Sequence, residues 1–199
     1  MKNDTDTYEE HFNKMKWKIQ LLDKERTKIV SLINCERQLF AYEKDALSFS
    51  WYDQSFFRNL LNNAWSDLLG GGKLSVNLEP ITKNFSQDYF GTNLTLYFCD
   101  SIDFLSRIFK NELIHENCLL ICRMGLNIVY PLAYDILDIK PSSSSDIIVH
   151  NSELYVTEIK RQERVIGRVS EIDLSKESII SLKSEFEGDD ITLGYWFSE

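Results

Sequence analysis

From Asp23 to Leu47 the chain holds apolar residues at helical spacing, with no Gly or Pro to interrupt them. That is about seven turns of helix at 3.6 residues per turn. Ile29, Val30, Ile33 and Phe40 fall on one side, and Leu32, Leu39 and Ala46 lie beside them. A two-sided apolar helix of this length is stable only when other elements cover it. Three prolines and eight glycines, with Gly70, Gly71 and Gly72 consecutive, leave the rest of the chain in long unbroken segments too. Helices are therefore favoured over a many-turned β architecture.

The other segments follow the same rule. Tyr8, Phe12, Met15, Ile19 and Leu22 make one stripe on a helix over about residues 7–22. Asp53 is a suitable N-cap for a third helix carrying Phe56, Phe57, Leu60, Leu61, Ala64, Trp65, Leu68 and Leu69, which the glycine triplet ends. That triplet is a helix stop rather than a phosphate loop, because a helix precedes it and Lys73-Leu74 follows. Residues 74–91 read as a long connection with one short helix after Pro80. Leu94, Phe98, Leu105, Ile108 and Phe109 mark a fourth long helix. Residues 116–137 form a fifth, apolar nearly all round, which Pro131 should kink or interrupt. Pro141 to Ser145 reads as a surface loop, residues 146–150 as a short extended piece, and 151–172 as a helix with Tyr155, Ile159, Ile166 and Val169 inward. A last helix over 175–187 closes at Gly188, and the apolar tail Ile191–Phe197 must dock on the body or on a partner. The expected fold is all-α: one domain over 1–199, with six or seven helices around the apolar helix at 116–137.

Net charge is −9. An acidic chain repels phosphate backbones and anionic membrane surfaces, so a charge-steered partner is a basic protein. The start, Met1 to Asp6, is polar with no apolar run behind it, which points to a cytoplasmic chain. Four cysteines in that setting read as reduced thiols.

No constellation names a reaction. Glu112 and His115 have di-iron spacing, but such sites need a second Glu-x-x-His pair, and neither His11 nor His150 supplies one. Cys118 and Cys122 share a helix face, yet zinc would need two more ligands. Cys35 beside Arg37 is a conceivable nucleophile without a placed His base. The simpler account packs Cys35 in the core and puts Glu36 and Arg37 into an ion-pair network between helices. Asp100 and Asp103 share a face, and with Glu36 or Glu153 they offer a hydrolytic cluster. Pairing of Asp100 with an arginine such as Arg37 is the plainer expectation. Lys160, Arg161, Arg164 and Arg168, interleaved with Glu158, Glu163 and Glu171, read as a solvated face laced with salt bridges.

Several short stretches resemble the YjaG-like family of all-helical bacterial proteins of unknown function. They are Ile33 to Arg37, Tyr42, Trp51-Tyr52-Asp53, Ala64 to Leu68, Phe90-Gly91, Asp100 with Phe104 to Ser106, Asn151 to Leu154, Glu158 to Gln162, and Leu193 to Phe197. The chain departs from the family with extra residues around 74–92 and a poorly matching 112–150 region. The resemblance implies a helical fold in the bacterial cytoplasm and carries over no active site.

Two functions follow from these readings. The first is a non-enzymatic, cofactor-free binding module that meets a basic protein, as an immunity protein neutralising a toxin would. Its partner-binding residues are Asp135, Asp138 and Asp146, in the segment that departs from the family. The second is a small-ligand protein or hydrolase built on Asp100 and Glu36.

Overall fold

The computed structural model describes residues 7–49, 55–70, 93–189 and 191. Among them are eight helices and no strand: α1 Thr7–Gln20, α2 Lys24–Phe49, α3 Ser55–Gly70, α4 Asn93–Phe109, α5 Ile114–Leu137, α6 Ser143–His150, α7 Glu153–Glu171 and α8 Lys176–Phe186. The expected Asp53 cap, the connection over 74–91 and the tail beyond Ile191 lie outside the described residues.

The additional helix, α6, occupies the segment expected as a loop and an extended piece. Its serines act as caps. The Ser142 side chain accepts from the Ser145 backbone N–H, and the Ser145 hydroxyl in turn accepts from the Ser142 N–H at 2.7 Å. This reciprocal pair satisfies the orphan donors of the first turn and starts a helix that β-branched Ile147, Ile148 and Val149 alone would not suggest. Ser152 and Ser175 cap α7 and α8 singly, their side chains accepting from the Tyr155 and Ser178 backbone N–H.

At the centre runs α5, packed on α1, α2, α4, α6 and α7. It continues through Pro131, because Ile128, Val129, Leu132 and Ala133 on either side are buried and hold it in place. By length and composition α5 is apolar enough to cross a membrane; here the neighbouring helices cover it. The main core cluster draws on seven helices, including Met15 of α1, Ile29 of α2, Phe57 of α3, Phe98 of α4, Ile121 of α5, Val165 of α7 and Ile179 of α8. Cys35, Cys118 and Cys122 are free and buried in it. Burial is the first cause that pushes the Cys35 thiol above its ordinary range, so it is inert rather than nucleophilic.

Polar groups also enter this core. Arg37 of α2 is 1% exposed, and it faces Glu158 of α7, not Asp100 as expected. Its Nε lies 3.1 Å from Asp189, which Arg161 also binds at 2.5 Å. Gln162, one turn beyond Glu158, donates to it at 2.7 Å and to the carbonyl of Cys122 at 2.9 Å. Gln38 donates to the carbonyl of Ile121 and accepts from the Ser101 hydroxyl. Gly125 makes room for all of this, since a Cβ there would sit 3.1 Å from Gln162 Nε2 and 3.3 Å from Glu158 Oε1. The expected solvated face of α7 is thus real only for its outer residues. Arg164 and Arg168 hold Glu185, and Glu163 holds Lys14, while Glu158 turns inward.

Removing one partner of a buried ion pair strands the other charge, at a cost of roughly 3–5 kcal/mol. Glu158→Ala is expected to lose that much in urea unfolding, and Arg37→Met/Glu158→Met should recover more than half of it. Trp65 is 2% exposed, and its indole N–H donates to Glu36 at 2.7 Å. Trp65→Ala should lose roughly 3–5 kcal/mol by the same measurement; a loss under about 1 kcal/mol would contradict the packing.

Candidate functional site

The last two turns of α5 and the short α6 form one end of the bundle, and all three aspartates expected to bind a partner lie there. Asp135 and Asp138 are exposed. Asp138 ends the helix in the left-handed region at φ 51°. Its backbone N–H bonds back to the Asp135 carbonyl at 3.2 Å, which closes the terminus. Aspartate tolerates this conformation better than most residues because its short side chain bonds locally.

Asp146 is different. Tyr130 and Tyr134 stand one turn apart on α5, and both hydroxyls donate to the same oxygen of Asp146, that of Tyr130 at 2.6 Å. The carboxylate clasps α6 to α5. The phenols bond its charged form more strongly than its neutral one, so its pKa is held below the usual carboxylate range, with the Tyr130 bond as the main cause. Tyr130 in turn is pushed up, first by burial and then by donating to Asp146. His150, at the end of α6, packs between rings: Tyr155 at 5.0 Å, Tyr8 at 5.8 Å and Tyr130 at 5.8 Å between centroids. An aromatic cluster therefore seats α6, and half-exposed Asp146 is tied to it by two hydrogen bonds.

With Val149 buried and Asp146 bonded to α5, Ile147 and Ile148 face solvent, 51% and 53% exposed. Ile136 and Leu137, at the end of α5, are also exposed. The same end of the bundle so presents four aliphatic side chains together with the carboxylates of Asp135 and Asp138. Sequence reasoning missed the aliphatic part because it read residues 146–150 as extended. The available signal was the Tyr130/Tyr134 pair at i,i+4 in an apolar helix, where two phenols require a polar partner.

The other candidates separate. Glu36 accepts from Trp65, and burial, its largest influence, raises its pKa. Asp100 is exposed on α4, and Asp103 pairs with Arg107 at 2.6 Å. The charges near Glu36 are Lys183, Glu187 and Arg58, with Asp100 not among them. Glu153 is exposed at the start of α7. His115 bonds through Nε2 to the Leu22 carbonyl at 2.9 Å, and Glu112 is exposed. Among the described residues, no group of three or more His, Cys, Asp or Glu is placed to hold a metal ion.

No protein-family model and no curated protein matches the chain. Among solved structures, a DUF416 family protein from Shewanella baltica superimposes with a TM-score of 0.70 at 16% sequence identity. The match covers 86% of this chain and 92% of that one. At that identity the likeness shows a common all-helical fold.

The Asp146 clasp has a titration consequence. A carboxylate whose folded pKa is lowered adds stability above its unfolded value of 3.8, and that stability is lost as pH falls through the folded value. Replacing both phenols by Tyr130→Phe and Tyr134→Phe is expected to return the Asp146 pKa towards 3.8, read from its carboxyl carbon by NMR. The acid-side stability loss due to Asp146 should disappear with it.

Proposed function

We propose that this chain is a non-enzymatic binding protein whose α5–α6 end receives a basic protein partner, in the manner of an immunity protein that neutralises a toxin. The observation that carries this reading is the pairing of exposed Ile136, Leu137, Ile147 and Ile148 with exposed Asp135 and Asp138 at one end of the bundle. Apolar side chains supply affinity once water is excluded, and a carboxylate rim supplies steering and rejects acidic partners. The net charge of −9 favours a basic protein over nucleic acid or an anionic membrane. Asp146 belongs to the scaffold of this surface, since its Oδ1 already accepts from Tyr130 and Tyr134. The alternative of a hydrolase on Asp100 and Glu36 draws less support, because those carboxylates have different neighbours.

We also propose that the chain belongs with the YjaG-like bacterial proteins and works in the cytoplasm. The ordered short motifs support this, as does an all-helical fold of the kind the DUF416 neighbour has.

The test begins with capture of partners from the host cell, followed by stopped-flow association of the purified pair. Association with a basic partner should slow as salt rises. Asp135→Asn/Asp138→Asn should slow association roughly tenfold at low salt and flatten the salt dependence, whereas Ile148→Asp should act on dissociation. A partner that is acidic, or that ignores all three substitutions, overturns the assignment of this surface.

A further inference from the structure

A second feature lies away from the α5–α6 end. Where α1 turns into α2, a cleft of about 450 Å³ opens against α7. That is within the usual range for a small-molecule site. Its walls are the indole of Trp17, Leu21 and Ile166; Gly167 forms its floor and Lys18 and Arg26 its charged edge. Trp17 and Leu21 are 62% and 66% exposed, a large apolar area for two neighbours one turn apart. We propose that this cleft binds a small organic anion: a flat or short-chain apolar body bearing a carboxylate.

Gly167 is the first argument. It lies inside α7, one turn before the helix ends, where glycine costs helix stability relative to almost any other residue. Nothing in the fold demands it, because a Cβ built there meets no atom within 4 Å. The space that a side chain would occupy is the cleft itself. Gly125 shows the contrast: it too lies inside a helix, but it is crowded by Gln162, Glu158 and Gln38.

The charges choose the ligand. Arg26 gives one Nη to Asp23 and the other to the Ile172 carbonyl at 2.7 Å, which fixes the guanidinium at the cleft. Its Nε is buried and has no hydrogen-bond acceptor. Among the described residues Lys18 holds no ion pair, while nearby Glu163 takes Lys14 at 2.7 Å. Lys18 and Arg26 edge the cleft as a half-buried ammonium and a fixed guanidinium; Asp23 is the carboxylate that lines it, and Glu163, which attracts Lys18 from outside, already holds Lys14. An anionic head on Lys18, with its apolar body against Trp17 and Leu21, satisfies both sets of groups.

Fluorescence titration tests this with two probes of similar shape, anilinonaphthalene sulfonate and the neutral N-phenylnaphthylamine. The sulfonate stands for the ligand's carboxylate. The intact protein should bind the anionic probe one to one and quench that part of its tryptophan emission which Trp17→Phe removes. Gly167→Leu should weaken it more than about tenfold, the equivalent of 1.4 kcal/mol. Leucine is the better helix former, so that variant should melt no lower than the parent. Lys18→Gln should weaken the anionic probe several-fold and leave the neutral one unchanged. Absence of saturable binding, or binding that survives Gly167→Leu, overturns the site. Equal affinity for the neutral probe, or indifference to Lys18→Gln, overturns its selectivity for anions.

Discussion

The Arg37–Glu158 pair constrains everything around it. Two charges taken out of water cost several kcal/mol each, and their attraction offsets that only when every remaining donor and acceptor is also met. The fold meets most of them by bringing four helices to one point, with Gln162 Oε1 left without a hydrogen bond among the described residues and Arg37 Nε held only by the charge of Asp189 at 3.1 Å. Asn34 and Arg37 come from α2, Glu158 and Gln162 from α7, Ser101 from α4, and the carbonyls of Ile121 and Cys122 from α5. Gln38 and Gln162 each cross from one helix to a carbonyl of α5, so the central helix is gripped from two sides at successive residues. Such bonds are directional where apolar packing is not. A bundle held by Leu and Ile alone can slide by a turn with modest loss, whereas this one would strand an arginine.

Gly125 is the condition for that arrangement. Any larger residue would push into Gln162 and Glu158, whose ends are already fixed by partners. The cost of a glycine within α5 is therefore offset by the network it admits. At the rim the same arginine reaches Asp189, just beyond α8, and Arg161 shares that carboxylate. Asp189 is thereby tied to the centre of the molecule, and Ile191 packs in a small cluster with Ala41, Leu94 and Ile128.

Much of this fold was legible because apolar spacing survives in sequence. Phe57, Leu60, Leu61, Ala64 and Trp65 are the buried residues of α3, as their stripe requires. The boundaries of α4, α5, α7 and α8 lie within two or three residues of those read from periodicity. What was not legible is where polar residues go. Glu158 and Gln162 sit in a helix dense with charge, and nothing local distinguishes them from Glu163 or Arg164 outside. Their burial is set by a partner 121 positions away in the chain. The same blindness applies at α6, where a run of serines has the composition of a linker. There the two serine hydroxyls act on backbone donors, which is geometry rather than composition. Of the three aspartates read as one surface, Asp135 and Asp138 are open, but the phenols that bond Asp146 lie twelve and sixteen residues before it in the chain.

Charge is distributed unevenly over this acidic molecule, and the unevenness follows from its helices. Where α1 meets α7, Glu163 holds Lys14 at 2.7 Å and lies 3.7 Å from buried His11. Burial lowers the His11 pKa more than Glu163 raises it, so this contact is made with a largely neutral ring at neutral pH. One turn further along α7 lies Gly167, where a Cβ would meet no atom within 4 Å. Lys18 and Arg26 then edge the cleft, and Asp23 offsets one of the two charges. At the α5–α6 end the order is reversed: the phenols fix Asp146 internally, and Asp135 and Asp138 are left outward among aliphatic side chains. The two surfaces thus carry opposite charge on separate helix pairs, and neither draws on the polar network between them. A ligand in the cleft and a partner on α5–α6 would each meet a preformed face without disturbing the buried ion pair.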